Sequence, residues 1–172
     1  MSIRLNAVCV GLLLAATPAA AQISRERALA TIYPGAEIRS ERVFLTAAQK
    51  QKANQIAGVD IPSSLIARYL AFRDGNVVGR AYVDTHTVRT KNESLLIALD
   101  ESGRVKRIEV TAFLEPPEFQ GPRAWYDQYN GKSLNDDLRL HRAIRPIAGA
   151  SLTARATTDA TRRVLALDQV LQ

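Results

Sequence analysis

Two paired stretches in the middle of the chain leave little choice of fold. Residues 67–73 and 77–87 flank Asp74-Gly75-Asn76, and Asp-Gly is a strong hairpin signal because both residues tolerate the positive φ of a tight turn. Residues 94–99 and 104–113 flank Asp100-Glu101-Ser102-Gly103 in the same way. Within the second pair, Leu95-Leu96-Ile97-Ala98-Leu99 is apolar at every position, so a strand there must bury both faces and lie inside a sheet. Residues 105–112 alternate imperfectly but in a sheet-like way, and residues 38–45 read as a further strand. Helices punctuate these strands. One is expected over 24–33, capped by Ser24 and ended by Pro34-Gly35. Thr46-Ala47-Ala48-Gln49 is a capping box opening a second helix that closes near Gly58. Residues 59–65 form a connector, and Pro122 at a helix N1 position starts a third helix through Tyr129, closed by Asn130-Gly131-Lys132. The expectation is an α+β fold, a single domain with a twisted, mostly antiparallel sheet and packed helices.

The first 21 residues read as a secretory signal peptide. Arg4 supplies the positive end, residues 8–16 form a short apolar run, and Ala19-Ala20-Ala21 fits a small-residue cleavage site. The run is too short to span a membrane, so no stable span is expected after cleavage. Cleavage removes Cys9, the only cysteine, and with it any disulfide, thiol nucleophile or cysteine ligand. The expected address is periplasmic. The chain carries 23 Lys and Arg against 17 Asp and Glu, a net +6 that falls to +5 without Arg4. The excess is scattered arginine rather than a basic stripe interleaved with aromatics, which argues against nucleic acid. It suits attraction of an anion or an acidic redox partner, or simply a soluble basic surface.

The C-terminal stretch carries the chemistry. Ile147-Ala148-Gly149-Ala150-Ser151-Leu152-Thr153-Ala154-Arg155-Ala156 joins a small-residue turn to two hydroxyls and a helix start. Ala156, Ala160, Val164, Leu167 and Leu171 then recur at spacings of three and four as one apolar stripe. A helix N-terminus offers unpaired N–H groups and partial positive charge, a natural seat for a phosphate, and Ser151 stands beside it. Taken alone, the stretch is also an ordinary loop and helix start.

These residues resemble the attachment motif of the FMN-binding domain, found in periplasmic flavin subunits of the sodium-pumping NADH:quinone reductase and of Rnf complexes, and in small secreted flavoproteins. The family motif reads roughly Asp-x-x-(Ser/Thr)-Gly-Ala-Thr-x-(Thr/Ser), and its Thr after Gly-Ala carries FMN through a phosphoester installed by a flavin transferase. Here Gly149, Ala150 and Thr153 match and Ser151 holds the acceptor position. Arg145 and Ala148 depart from the family's Asp and Ser/Thr, which leaves covalent and noncovalent FMN both open, with Arg145 a candidate phosphate partner in the second case. The resemblance runs over about residues 77 to 171: the hairpin Ile97-Ala98-Leu99-Asp100 to Ile108-Glu109-Val110, the loop Leu114 to Gly121, and the aromatic segment Trp125, Tyr126, Tyr129 with Gly131-Lys132. It implies an electron-transfer module using FMN, loaded by a flavin transferase and served by a membrane or periplasmic redox partner. The implied site is Ser151 with Gly149, Ala150, Leu152 and Thr153, Arg155 as a charge partner, and Glu115 and Trp125 towards the flavin ring.

The resulting division is a signal peptide over 1–21, a helix/strand extension over 22–65 and an FMN-binding domain over 66–172. The alternative is a flavin-free binding or adaptor protein keeping the same fold. Other chemistry is thinner. His86 and His141 lie far apart without the spaced partners a metal site needs. Glu115 and Glu118 stand close in sequence, but nothing else supports hydrolysis. A Ser151–His141 pair would need an orienting group and an oxyanion hole, and no nucleophile-elbow pattern is present.

Overall fold

The computed structural model describes residues 24–172; the expected signal peptide lies outside the described residues. Eight-residue helix α1 (Arg25–Ile32) is followed by strand β1 (Glu37–Phe44), helix α2 (Ala47–Ala57), and strands β2 (Leu65–Arg73), β3 (Asn76–Thr87), β4 (Asn92–Asp100) and β5 (Val105–Phe113). A short helix α3 (Arg123–Tyr126), flanked by 3-10 turns at Pro117–Phe119 and Asp127–Tyr129, precedes the long helix α4 (Ser151–Val170). The five strands form one antiparallel sheet in chain order, a meander in which each strand pairs with its sequence neighbours. This is the α+β single domain expected.

Local chemistry explains the boundaries. Ser24 accepts the Arg27 N–H to start α1. Thr46 and Gln49 exchange both bonds of a capping box at α2, and Gly58 closes that helix at φ 64°. The β2–β3 turn sits at Asp74 and Gly75, both at positive φ. The third helix departs from expectation: Pro122 is the residue before it, and only one α-turn forms before the backbone tightens to a 3-10 turn.

The sheet separates two cores. Strand β4 faces both ways, with Leu95, Ile97 and Leu99 packed among α2 and α4 residues, and Leu96 and Ala98 packed under Leu29, Ile32 and Tyr33 of the α1 segment. All five residues from Leu95 to Leu99 are fully buried, as their unbroken apolar run demands. The segment described as an extension is built into the fold: β1 is an edge strand pairing with β2 over its whole length, and α2 packs against α4. Burial on α4 is wider than the expected stripe. Thr157, Thr161, Arg162, Arg163 and Asp168 are buried alongside Ala160, Val164 and Leu167, because the helix lies between the sheet and α2. Among the described residues no helix is long and apolar enough to cross a membrane.

Candidate functional site

Helix α4 begins differently from α1 and α2. Its cap residue, Ala150, has no side-chain acceptor, whereas Ser24 and Thr46 each close their own helix start. The first intrahelical bond runs from the Ala154 N–H to the Ala150 carbonyl at 3.1 Å. The N–H groups of Ser151, Leu152 and Thr153 therefore precede the helical ladder and find no backbone acceptor among the described residues. Gly149 adopts φ 78°, which an L side chain would strain, and a Cβ built on it would meet nothing within 4 Å. The Ser151 side chain is exposed, and its hydroxyl makes no hydrogen bond to a described residue.

This start opens onto a cleft of about 130 Å³ lined by Gly149, Ala150, Ser151, Leu152 and Thr153, with Val88, Arg89, Glu115 and Phe119 opposite. Six sequence-derived candidates thus converge. Thr153 lies beneath the exposed positions: it is fully buried, and its hydroxyl donates to the Phe119 carbonyl at 2.7 Å, fixing the loop to the helix. Glu115 is a structural anion. Its Oε1 accepts the backbone N–H groups of Thr90 (2.6 Å), Lys91 (2.7 Å) and Arg89 (3.2 Å), with the Thr90 hydroxyl at 3.3 Å. The Thr90 and Lys91 N–H groups foremost hold the carboxyl below the usual glutamate range, so it stays charged and locks the β3–β4 turn against the site.

Trp125 is placed otherwise than expected. It does not line the cleft; it is buried edge-on against Tyr126 and Tyr129 at 5.2 and 5.5 Å between ring centroids. A buried indole N–H needs an acceptor, and Nε1 donates to the Arg145 carbonyl at 2.7 Å. Gln128 accepts the Arg145 N–H at 2.9 Å, so these two side chains anchor the segment leading to Gly149. The Arg145 side chain is exposed and lines neither of the clefts described here. His141 sits in an exposed turn at φ 63° and is likewise absent from both linings.

Arg155 lies one turn further along α4, in a second cleft of about 200 Å³ with His86, Thr87, Val88, Leu152, Ala156, Asp159 and Arg163. Val88 and Leu152 line both clefts, so the two lie side by side with a shared wall. Arg155 forms no ion pair among the described residues. Beneath the second cleft runs a row of alternating charges that the sequence reading missed. Arg163 donates from Nε and Nη2 to both oxygens of Asp84 at 2.8 Å. His86 lies between Asp84 (Nδ1, 2.8 Å) and the fully buried Glu93 (Nε2, 3.1 Å). Glu93 also meets the Tyr126 hydroxyl at 3.4 Å and the Thr157 hydroxyl at 3.5 Å. Burial alone would depress the His86 pKa, but its bonds to the two carboxylates raise it to about 9. Burial alone would raise Asp84, but Arg163 and His86 hold it at about 2. At neutral pH the imidazole is therefore a fixed cation. Alternation on β3 places Asp84 and His86 on one face, but that pattern carries no sign that Arg163, 79 residues away, completes the row.

In comparisons with protein-family models, curated proteins and solved structures, nothing matches this chain.

Proposed function

We propose that this protein is an exported FMN-binding flavoprotein acting as an electron-transfer module, with the FMN phosphate held at Gly149-Ala150-Ser151. The observation that carries the reading is the uncapped start of α4, which directs unpaired N–H groups, a free serine hydroxyl and an open glycine onto a cleft. Phosphate needs donors and positive potential, and a helix N-terminus supplies both without a side chain in the way. Arg89 adds a cation at the same mouth. Val88, Phe119 and Leu152 give the apolar contact that a flavin's remaining surface requires.

When bound, the flavin would supply the redox chemistry. The chain's own part is to position it. Ser151 would be the acceptor oxygen for a phosphoester. Gly149 keeps the approach clear, and Thr153 and Glu115 fix the two loops that frame the site. The Trp125 and Gln128 bonds to Arg145 hold the entry to the motif at a set angle, which supports the reading in a way distinct from ring contact.

The test is the intact mass of denatured protein, co-expressed with a flavin transferase and exported, together with the visible spectrum before denaturation. The expected result is a yellow protein heavier by one FMN less one water, the gain being lost in Ser151→Ala. Yellow colour without added mass would point to noncovalent binding. A colourless protein of unchanged mass would overturn the flavin reading and leave the binding or adaptor role.

A further inference from the structure

A second cleft lies beside the proposed phosphate seat, and the two ends of the pair differ in chemistry. The end at Gly149 and Ser151 has a volume of about 130 Å³, well under the ~300 Å³ at which pockets for cofactor-sized ligands begin. The second cleft, of about 200 Å³, adjoins it with Val88 and Leu152 in both walls, and only the two volumes together reach that size. The anion at the first end, Glu115, already has Oε1 saturated by three backbone N–H groups. The second end presents Arg155 without an ion pair among the described residues, and has His86 and Arg163 in its wall.

Accepting the FMN reading above, we propose that the bound cofactor spans both clefts, with its isoalloxazine ring over Leu152 and Ala156 in the second, its polar edge towards Arg155. The ring has an apolar edge and a polar edge of carbonyl oxygens and ring nitrogens, matching a lining of Val88, Leu152 and Ala156 beside cations. Reduced by two electrons from dithionite and one proton from solvent, the bound ring would become a monoanion. Arg155 would then face a full negative charge and act as a positioning group that raises the reduction potential. His86, with both ring nitrogens engaged by Asp84 and Glu93, and Arg163, paired with Asp84, have their charge offset by those carboxylates and contribute less. Asp159 on α4, half-buried in the same cleft, opposes them.

The measurement is the midpoint potential of FMN-loaded full-length protein, titrated with dithionite against indicator dyes and followed in the visible spectrum. Arg155→Gln is the primary variant, because its side chain is exposed and unpaired, and it should lower the potential. Arg155→Lys should restore it. Asp159→Asn should shift it the opposite way, a reversal that loss of packing would not produce. Lys52→Gln, a charge change on the exposed side of α2 outside both clefts, should leave it in place. An unchanged potential in Arg155→Gln and Asp159→Asn would overturn the inference while FMN binding stands. A wild-type protein that takes up no FMN would defeat the underlying reading instead.

Discussion

The two ends of helix α4 are built on opposite plans. The rear half is clamped: Asp168, only 1% exposed, accepts Arg80 at 2.6 and 3.1 Å, the Tyr82 hydroxyl at 2.8 Å and Gln172 at 2.8 Å. Arg162, also buried, donates to the carbonyls of Ala57, Asn135 and Leu138, stapling α4 to the end of α2 and to the loop before the motif. The front has no such partners. Its cap residue is Ala150, its first N–H groups are open, and Ser151 and Leu152 face solvent. A helix seated this firmly at its rear can leave its front unsatisfied without fraying, since the packed body holds the open turn in place. The start of α2, by contrast, is closed by its own capping box of Thr46 and Gln49.

Breaking the clamp should give the largest effect. Asp168→Ala leaves the half-buried Arg80 without its counter-charge and the Tyr82 hydroxyl without its acceptor, and should cost about 3 kcal/mol. Urea unfolding with linear extrapolation checks it; a loss under about 1 kcal/mol would mean that the rear of α4 is held by apolar packing alone.

The middle of the helix should respond to pH. His86 titrates at about 9 when folded against 6.5 unfolded, so its contribution is fully present below about 6.5 and is lost as pH rises through 9. Asp84, at about 2 folded against 3.8 unfolded, contributes above about 3.8 and loses its contribution as pH falls through 2. Unfolding free energy followed from pH 6 to 10 should fall along the alkaline limb, and His86→Gln should flatten that limb.

How much of this was legible beforehand differs between the regions. Caps, turns and the both-faced strand Leu95–Leu99 were readable because each depends on a few adjacent residues. The convergence of Glu115 on the Gly149–Thr153 start was anticipated only in outline, through the order of motifs. The role of Glu115 as an anchor for the β3–β4 turn needs three N–H groups from residues 24 to 26 positions earlier. Trp125 was misplaced for a similar reason. An aromatic helix face looks the same in sequence whether it lines a ligand or a core, and the acceptor that decides it is the carbonyl of Arg145, 20 residues on. The charge row from Arg163 to Glu93 was invisible, because only the packing of α4 over β3 and β4 joins residues on three elements. Local chemistry is written locally; buried polar partners are chosen by topology.

A smaller effect sharpens the contrast between helix starts. Thr46→Ala removes both the acceptor for the Gln49 N–H and the reciprocal geometry of the capping box, and should cost about 1 kcal/mol. FMN uptake should be unchanged, since α2 lines neither cleft. A loss of flavin in Thr46→Ala would show that the two helix starts are coupled through the α2–α4 contact.

The smallest stability effect belongs to the position on which the functional reading depends most. Ser151 is exposed, occupies the first helical position, and bonds to no described residue, so Ser151→Ala should change stability by no more than about 0.5 kcal/mol. Alanine is also a better helix former than serine, which pushes any change towards stabilisation. A hydroxyl kept for structure would behave in the reverse way: its removal would expose an unmet donor or acceptor and cost 1 kcal/mol or more, on the order seen at helix caps. Thermal unfolding of flavin-free Ser151→Ala beside flavin-free wild type separates the two. Equal transitions, together with lost flavin mass in the loaded protein, would assign the serine to the ligand. A clear drop in stability without flavin would assign it to the helix, and the open front of α4 would have to be explained as a cap of unusual geometry.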